Sequence, residues 1–314
     1  MYCFIVNPAC RSGEGKKIWK QVRSVLDERG LEYRFGITRY VGHAREIAEK
    51  FTSSARPGHP VTLVVLGGDG TIHEVLSGIR DPENVIFGFI PAGSGNDFCH
   101  GMNLSRDPME ALETILTLGV PAKLDLPVIH YGDESSRFGI SCGIGYDAAV
   151  CHEVLVTPLK KVFNALHLGK LIYGLIAVKQ IVTIKPVAAA IRLDGDRSYT
   201  FKKMYFAAVM NQKYEGGGFK FCPDAKPDDG LLDVIAADSI PKLKLLFMLP
   251  TAIWGGHVRT KGIHIMQCRT AEIRCSRPYA VHIDGESGGI RKEISVAVEP
   301  VQLTIIVPDK AGRR

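Results

Sequence analysis

Residues 67–71, Gly67-Gly68-Asp69-Gly70-Thr71, lie between an apolar run at 61–66 and a helix-like sequence at 72–76. A glycine-rich turn between a strand and a helix is a recurring phosphate-binding structure in proteins. Glycine lets the backbone come close to the anion, and the helix N-terminus offers unpaired N–H groups. Asp69 stands in the same turn, where it could reach a phosphate-bound Mg²⁺ directly or through water. A turn that needs glycine only for steric reasons is the alternative, and the density of Gly, Asp and Thr favours the phosphate site.

Two other phosphate-binding motifs do not fit this chain. The segment Gly13-Glu14-Gly15-Lys16-Lys17 lacks the spacing of a P-loop. A dinucleotide-binding fingerprint would need its third glycine at position 73, which is His73. The sequence therefore indicates a phosphate site of a different kind.

The composition is that of a globular protein with room for two domains: 314 residues, 46% hydrophobic and 23% charged. The net charge of +6 suits an acidic partner such as ATP or an anionic membrane surface. We expect no nucleic-acid partner, because no run of Lys and Arg is interleaved with aromatic residues.

The eight cysteines form no Cys-x-x-Cys pair. This absence favours reduced thiols in the cytosol and disfavours a zinc site.

The most apolar stretch runs from Leu159 to Ile184 and is interrupted by lysines. It therefore predicts an amphipathic helix rather than a bilayer span. Helices near 159–181 and 243–254 suit either a membrane interface or packing on the second domain, and packing is the commoner outcome. We expect a cytoplasmic protein peripherally associated with the membrane. The sequence does not decide whether the protein forms a homodimer.

The first 123 residues alternate strands and helices, which predicts a parallel sheet covered on both faces. The expected strands are Tyr2–Val6, Tyr33–Thr38, Val61–Leu66 and Val85–Ile90, and the expected helices are Lys16–Arg29, His43–Ser53, Ile72–Gly78 and Pro108–Leu118. Ligands of open α/β sheets bind outside the carboxyl ends of the strands. The loops at 7–13, 67–71 and 91–97 should therefore share one crevice.

Residues 124–300 show short alternating patterns, which predict an antiparallel sandwich or barrel. A hairpin is expected from Val187–Leu193 and Tyr199–Met210 around Asp194-Gly195. Further strands are expected at Leu231–Ala236, Gly262–Met266, Ala271–Cys275, Ala280–Ile283, Ile294–Val298 and Leu303–Val307, and a helix at Pro241–Ile253. The C-terminal segment, about 300–314, is expected to pack back on the first domain.

Five motifs appear in one order along nearly the whole chain: Asn7-Pro8 with Ser12-Gly13, Gly67–Thr71, Pro91–Phe98, Lys226–Leu231 and Asp284-Gly285-Glu286. Together they resemble the diacylglycerol kinase-type lipid kinases, in particular the bacterial soluble branch. Two departures from the family pattern stand out. Ser94 replaces the usual Thr and keeps the hydroxyl, and Cys10-Arg11 lengthen the first loop.

The resemblance implies an α/β ATP-binding domain of phosphofructokinase/NAD kinase-like fold, a C-terminal β-sandwich that carries the lipid site, and a cleft between them. It also implies a set of ATP-binding residues. These are Asn7, Pro8, Ser12, Gly13, Thr38, Gly67, Gly68, Asp69, Gly70, Thr71, Gly93, Ser94 and Asn96. Thr38 is equally well explained as a residue that ends a strand.

The resemblance implies two Mg²⁺ sites. Asp69, Asp97 and Asp125 would hold the first ion largely through water, which suits the hydration that Mg²⁺ keeps. Asp97 could instead cap the helix that follows it, and a lone Asp125 could simply be solvated. Asp229, with the backbone carbonyls of Lys226 and Leu231, would hold a second, structural ion.

Asp284 is the predicted general base, because it follows an expected strand and precedes Gly285, so that its carboxylate could accept the proton of a lipid hydroxyl. Glu286 is the rival base, and the sequence does not separate the two. An ordinary Asp-Gly turn is the structural alternative. The expected activity is ATP- and Mg²⁺-dependent phosphorylation of a lipid hydroxyl, most simply that of diacylglycerol. Sphingoid bases and phosphatidylglycerol stay open as acceptors.

Three rival functions stay open on the sequence. A soluble kinase of NAD or of a sugar phosphate would use a similar Gly-Gly-Asp-Gly turn, although 91–98 and 284–286 fit the lipid kinases better. A non-catalytic nucleotide-binding regulator would keep the phosphate loops without turnover. A β-rich interaction protein would leave the glycine-rich strand ends unexplained.

Overall fold

The computed structural model describes residues 1–93, 95–157 and 169–309. The chain divides into two units. The first unit contains residues 1–126, 227–229 and 299–314, and the second contains 127–226 and 230–298. The boundary between them falls inside two long strands, at 126/127 and 298/299.

The first unit is built from strands and helices that alternate along the chain. Its strands are β1 (Tyr2–Val6), β2 (Tyr33–Ile37), β3 (Val61–Gly67) and β4 (Val85–Pro91), and its helices are α1 (Cys10–Glu28), α2 (His43–Thr52), α3 (Asp69–Gly78), α4 (Asp97–Met102) and α5 (Pro108–Glu113). The strands pair in parallel in the order β4-β3-β1-β2. Thr304 and Ile305 add a further parallel strand beside β4.

The apolar runs of this sheet explain its position in the fold. Residues 63–66 of β3 and 87 and 89–91 of β4 are buried, as expected of central strands covered by helices on both faces. α1 packs Trp19 and Val22 against this sheet in a cluster with Phe4 of β1. Burial of each such side chain contributes roughly 1.5–3 kcal/mol, so this cluster anchors the strands whose ends carry the loops.

The second unit is antiparallel. Its strands are β5 (Gly119–Tyr131), β6 (Glu134–Arg137), β7 (Ser141–Gly145), β8 (Val187–Leu193), β9 (Arg197–Met210), β10 (Tyr214–Glu215), β11 (Phe219–Lys220), β12 (Leu232–Asp238), β13 (Ile263–Cys268), β14 (Thr270–Ile283) and β15 (Glu286–Pro308). β5 and β15 continue into the first unit. Its helices are α6 (Tyr146–Val156), α7 (Gly169–Thr183) and α8 (Lys242–Met248), and α8 continues as a 3-10 turn over Leu249–Ile253.

Two long strands, β9 and β14, organise this unit. β8 pairs with the first half of each, and β7 pairs with the second half of each. The apolar side chains of these strands form one continuous core. The predicted architecture, a parallel α/β domain followed by an antiparallel β domain, is confirmed.

The structure corrects several predicted elements. Helix α1 begins at Cys10 rather than Lys16, so the first loop is only Asn7–Ala9 and is not lengthened by Cys10-Arg11. The predicted helix 108–118 is α-helical only to Glu113 and ends in a π-helical turn, Thr114–Leu118. Two pairs of predicted short strands are continuous: 271–275 with 280–283 form β14, and 294–298 with 303–307 lie in β15.

Some elements were not predicted, namely β5, β6, β7, β10, β11 and α6. The predicted helix 159–181 lies partly outside the described residues, and its described part is α7. Within 1–93, 95–157 and 169–309, no helix is long and apolar enough to span a membrane. All eight cysteines are free, as expected.

Candidate active-site residues

The first two loops of the first unit meet at the carboxyl ends of β1 and β3. The Asn7 side chain donates a hydrogen bond from Nδ2 to Thr71 Oγ1 at 3.0 Å. Its Oδ1 accepts one from the backbone N–H of Ala9 at 3.1 Å. Asn7 therefore ties the loop after β1 to the first turn of α3, as the parallel strand order allows.

The second and third loops touch through their glycines. A Cβ on Gly93 would lie 2.7 Å from the Cα of Gly68, and a Cβ on Gly68 would lie 3.1 Å from the Cα of Gly93. The Ala92 N–H also donates to the Gly67 carbonyl at 2.7 Å. The loops after β3 and β4 can therefore approach this closely only where both residues are glycine.

Asp69 is the first residue of α3, and its side chain also contacts the N-terminus of α4. Its carboxylate accepts hydrogen bonds from the backbone N–H groups of Asp97 (3.4 Å) and Phe98 (3.3 Å). Asp97 is buried as the first residue of α4, and Asn96 before it makes no side-chain cap. Asn96 Oδ1 is buried and has no hydrogen-bond partner among the described residues. The three loops thus converge around acidic side chains and one unsatisfied acceptor.

The other residues predicted to bind the nucleotide lie at several positions in the first unit. Thr38 follows β2 and donates its backbone N–H to the Val6 carbonyl, which places it beside the end of β1. Pro8 lies in the short first loop, and Gly13 lies in the first turn of α1 with a φ of 96°. Ser12 is helical, and Ser94 lies outside the described residues.

Asp125 is fully buried, so the expectation that it could be solvated is wrong. Its Oδ1 accepts a hydrogen bond from Gln302 Nε2 at 2.8 Å, and its backbone N–H donates to the Pro227 carbonyl at 2.6 Å. Gln302 Nε2 also donates to the Asp228 carbonyl. Asp229 is exposed at the end of this loop, while Lys226 and Leu231 flank it in the second unit.

In the second unit, the Asp284 carboxylate is hydrogen-bonded to the backbone. Its Oδ2 accepts from the N–H of Gly139 at 2.8 Å, and its Oδ1 accepts from the N–H groups of Ile140 (2.8 Å) and Ser141 (3.1 Å). The side chain is buried and the residue adopts a φ of 49°. Asp284 therefore fixes the turn between β14 and β15 to the start of β7.

Glu286 is the first residue of β15, two residues beyond Asp284, and is exposed. It pairs with Ile283 in the antiparallel ladder across the Asp284-Gly285 turn. The rigidly held turn therefore presents the Glu286 carboxylate to solvent. This contrast between the two acids is not visible in the sequence.

A second polar group in this unit was missed by sequence reasoning. His282 of β14 lies with its Nε2 3.0 Å from Asp147 Oδ2 and 3.3 Å from Glu215 Oε1, and all three residues are buried. Burial disfavours the imidazolium, but the Glu215 and Asp147 carboxylates outweigh it and raise the pKa of His282 to about 9. The position of His282, two residues before Asp284, was the only signal in the sequence.

The second unit also contains a small apolar cavity, open in part to solvent. Tyr146 and Phe206 line one part of it, and Leu245, Met248 and Leu249 of α8 and the following turn line another. Its almost wholly apolar lining suits part of an aliphatic ligand.

Large apolar side chains are exposed on the helices near this cavity's lining residues. On α8 and the following turns, the exposed fraction is 67% for Leu243, 72% for Phe247 and 65% for Trp254. Leu175 and Val178 of α7 are also exposed, whereas Leu245 is buried. The favoured interpretation, that these helices simply pack on the domain, therefore holds for only part of their apolar residues.

Comparison with known proteins assigns both halves of the chain. Residues 1–126 match the model of the diacylglycerol kinase catalytic domain, and residues 141–307 match the YegS C-terminal NAD kinase beta sandwich-like domain. The chain belongs to the diacylglycerol kinase-type lipid kinase family. It is therefore a lipid kinase, and the predicted resemblance and fold class are confirmed.

Similar proteins cover nearly the full length of this lipid kinase. The Bacillus subtilis (strain 168) protein named "Putative lipid kinase YtlR" is 30% identical over 291 residues, 91% of this chain and 93% of that protein. A Mycobacterium tuberculosis (strain H37Rv) protein named diacylglycerol kinase is 27% identical over 97% of this chain and 94% of its own.

A solved structure shares the fold of this lipid kinase. The crystal structure of a "putative diacylglycerol kinase" from Bacillus anthracis str. Sterne has a TM-score of 0.74 and covers 99% of this chain and 95% of its own. At 21% sequence identity, this likeness concerns the fold.

Proposed function

We propose that this lipid kinase transfers the γ-phosphoryl group of ATP, with Mg²⁺, to the hydroxyl of diacylglycerol to give phosphatidic acid. Phosphoryl transfer requires phosphate binding, charge neutralisation and a base near the acceptor hydroxyl. The first unit offers residues for the first two requirements, and the second offers a base and an apolar cavity.

The loops of the first unit suit a nucleotide phosphate. Gly68 and Gly93 leave a surface on which any Cβ would intrude, and α3 directs its N-terminus to the same strand ends. Asn96 Oδ1 is a buried acceptor that a bound group could satisfy. Asn7 and Thr71 hold these loops together and would orient the phosphates.

Carboxylate oxygens of the same region suit Mg²⁺, which keeps much of its water and needs few direct protein ligands. Asp69 and Asp97 lie at the N-termini of α3 and α4, and we assign them to the Mg²⁺ bound with ATP, largely through water. When bound, this ion would neutralise charge on the transferring phosphoryl group. Asp125 would contribute to the same Mg²⁺ site. A hydrogen bond from Gln302 holds its buried carboxylate in position.

A second, structural Mg²⁺ held by Asp229 with the carbonyls of Lys226 and Leu231 stays a prediction. Asp229 is exposed, and the neighbouring carbonyls of Pro227 and Asp228 already accept hydrogen bonds from Asp125 and Gln302. This loop is therefore held in place by protein contacts as well.

We assign the general base to Glu286 rather than Asp284. Three backbone N–H groups already donate to the Asp284 carboxylate, so this side chain is well suited to position the turn. Glu286 is exposed two residues beyond it and could accept the proton of an approaching hydroxyl. Asp284 then supports Glu286 by fixing the backbone.

The apolar cavity of the second unit is the observation that supports a diacylglycerol-like acceptor. An acyl chain gains free energy from burial in such a site, whereas NAD or a sugar phosphate has no matching apolar part. Tyr146, Phe206 and Leu249 are the lining residues that such a chain would contact. This observation favours the lipid acceptor over the soluble ones.

Transfer of γ-labelled phosphate tests the proposal. The full chain is incubated with labelled ATP and Mg²⁺ and with diacylglycerol, sphingoid bases or phosphatidylglycerol in mixed micelles, beside NAD and fructose phosphates in buffer. We expect label in diacylglycerol alone. Label in another lipid would overturn the acceptor, and label only in a soluble compound would overturn the lipid site.

A non-catalytic regulator is the remaining alternative. Binding of ATP without transfer to any acceptor in this panel would favour it. The exposed Glu286 and the acidic pair Asp69 and Asp97 favour turnover instead, because a regulator needs only the phosphate loops.

We further propose that α7, α8 and the turns after α8 contact an anionic membrane surface during turnover. Their exposed side chains include Leu243, Phe247 and Trp254, and the basic residues Lys244 and Arg259 on the same segments are exposed as well. Apolar residues mixed with basic ones are typical of helices at a membrane interface. Peripheral association would give the enzyme access to its acceptor.

The exposed Trp254 provides a direct test, because the other tryptophan, Trp19, is buried. Vesicles containing phosphatidylglycerol are expected to shift its fluorescence to shorter wavelength, and Trp254→Phe should remove the shift. Phe247→Ser should lower vesicle affinity about tenfold or more, since burial of such a side chain contributes roughly 1.5–3 kcal/mol. Tyr199→Ser, at another exposed aromatic, is the control and should change neither readout.

Unchanged vesicle affinity in Phe247→Ser would contradict this membrane surface. Binding to uncharged phosphatidylcholine vesicles as tight as to anionic ones would contradict the role of Lys244 and Arg259.

A further inference from the structure

Three side chains of the second unit converge in its interior. Asp147 comes from the first turn of α6, Glu215 from β10 and His282 from β14. One ligand-type atom of each lies within 4.8 Å of the other two. All three side chains are almost fully buried. The donors therefore come from separate elements and meet at one point.

Hydrogen bonding alone does not satisfy this cluster. A ring nitrogen carries at most one hydrogen, so His282 Nε2 can donate fully to only one of the two carboxylates that lie 3.0 and 3.3 Å away. Asp147 Oδ1 is also buried and has no hydrogen-bond partner among the described residues. A buried carboxylate oxygen without a partner is costly, and a bound cation would satisfy it.

Charge balance points in the same direction. A buried group of charges is least costly when the charges balance. A divalent cation with two carboxylates and a neutral imidazole has a net charge of zero. Imidazole binds a metal ion in its neutral form.

The backbone leaves space for the cluster. A Cβ on Gly143 of β7 would lie 2.0 Å from Asp147 Oδ2 and 2.6 Å from His282 Nε2. Gly143 therefore provides the volume in which the two side chains meet. The three side chains are so little exposed that their donor atoms suit an ion rather than an organic head group.

We propose that Asp147, Glu215 and His282 form a binding site for a divalent transition-metal ion, of the zinc or manganese class. The donor set of one imidazole nitrogen and two carboxylate oxygens suits these ions, whereas Mg²⁺ prefers oxygen alone. The cysteine spacing that disfavours a thiolate zinc site does not bear on this one, which contains no thiolate. The site differs from the Mg²⁺ positions assigned to ATP binding.

Metal content tests the site without any activity assay. The full chain is stripped with EDTA, exposed to Zn²⁺ or Mn²⁺, desalted, and analysed for metal by mass spectrometry. We expect the wild-type chain to retain one equivalent of Zn²⁺ or Mn²⁺ more than the Asp147→Asn and Glu215→Gln variants retain. Titration should show affinity at least about tenfold weaker in these variants. Both substitutions keep the side-chain shape and remove a charged ligand.

Asp196→Asn is the matched control, because it makes the same chemical change in the exposed turn after β8. It should retain the wild-type metal content. Binding of Co²⁺ should give visible absorption bands in wild type and in Asp196→Asn and none in Asp147→Asn. Wild-type protein without retained metal would overturn the proposal even if a variant fails to fold. Equal retention in Asp147→Asn and Glu215→Gln would overturn it too, leaving an ion pair between His282 and the two acids.

Discussion

Glu286→Gln is expected to lower kcat for lipid phosphorylation by about 10²–10⁴-fold, the usual contribution of a positioned general base. Glutamine has nearly the same size but cannot accept the proton of the attacking hydroxyl. ATP affinity should change little, because the base acts mainly in the transition state. Steady-state kinetics in mixed micelles and a separate ATP-binding titration measure the two quantities.

Two variants serve as comparisons for this experiment. Glu293→Gln alters another exposed acid of β15, whose partner is Arg274 on the surface, and should leave kcat unchanged. Asp284→Asn replaces an oxygen that faces backbone N–H groups with a donor, and should lower the free energy of unfolding by roughly 1–3 kcal/mol as well as kcat. If Glu286→Gln keeps wild-type kcat while a folded Asp284→Asn loses turnover, Asp284 is the base, as first predicted from the sequence.

Gly93→Ala is expected to lower kcat/KM for ATP about 10²-fold. The added Cβ would lie 2.7 Å from the Gly68 Cα, which is backbone and cannot rotate away, so the loops after β3 and β4 must separate. Displacements of about 1 Å at a reacting group can cost this much in rate. Kinetics at varied ATP concentration, with saturating lipid, measure the effect.

Gly174→Ala is the control for this substitution, because a Cβ there meets nothing within 4 Å and α7 tolerates alanine. Its kcat/KM for ATP should equal that of the wild type. Near-normal ATP kinetics in a folded Gly93→Ala protein would show that the contact between Gly68 and Gly93 does not shape the nucleotide site.

The strand ends of the first unit were predictable because their signals are local. An apolar run followed by glycines fixes where β3 ends and α3 begins to within a few residues. Burial of both faces of β3 and β4 makes their sequences continuously apolar, which distinguishes central parallel strands from alternating ones. The boundaries of α1 and α5 were wrong because the first turn of α1 and the π-helical turn after α5 carry no clear local signal.

The roles of the acids could not be predicted, because their partners are distant in the chain. Asp284 is held by backbone N–H groups about 145 residues earlier, and backbone donors leave no trace in the side-chain sequence. Asp125 is paired with Gln302, 177 positions later. The cluster around His282 likewise combines residues from three elements. The motif order pointed to Asp284, and only the family resemblance pointed to Asp125.

The end of β15 has a consequence for how such a protein can be divided and inherited. Thr304 and Ile305 provide the parallel neighbour of β4, although the catalytic-domain match covers only residues 1–126. A gene fragment that ends at residue 126 would leave one side of β4 as an unpaired edge, a feature that invites aggregation. Residues 1–126 alone therefore lack a strand that their sheet uses, and they cannot be exchanged between proteins as a simple N-terminal cassette.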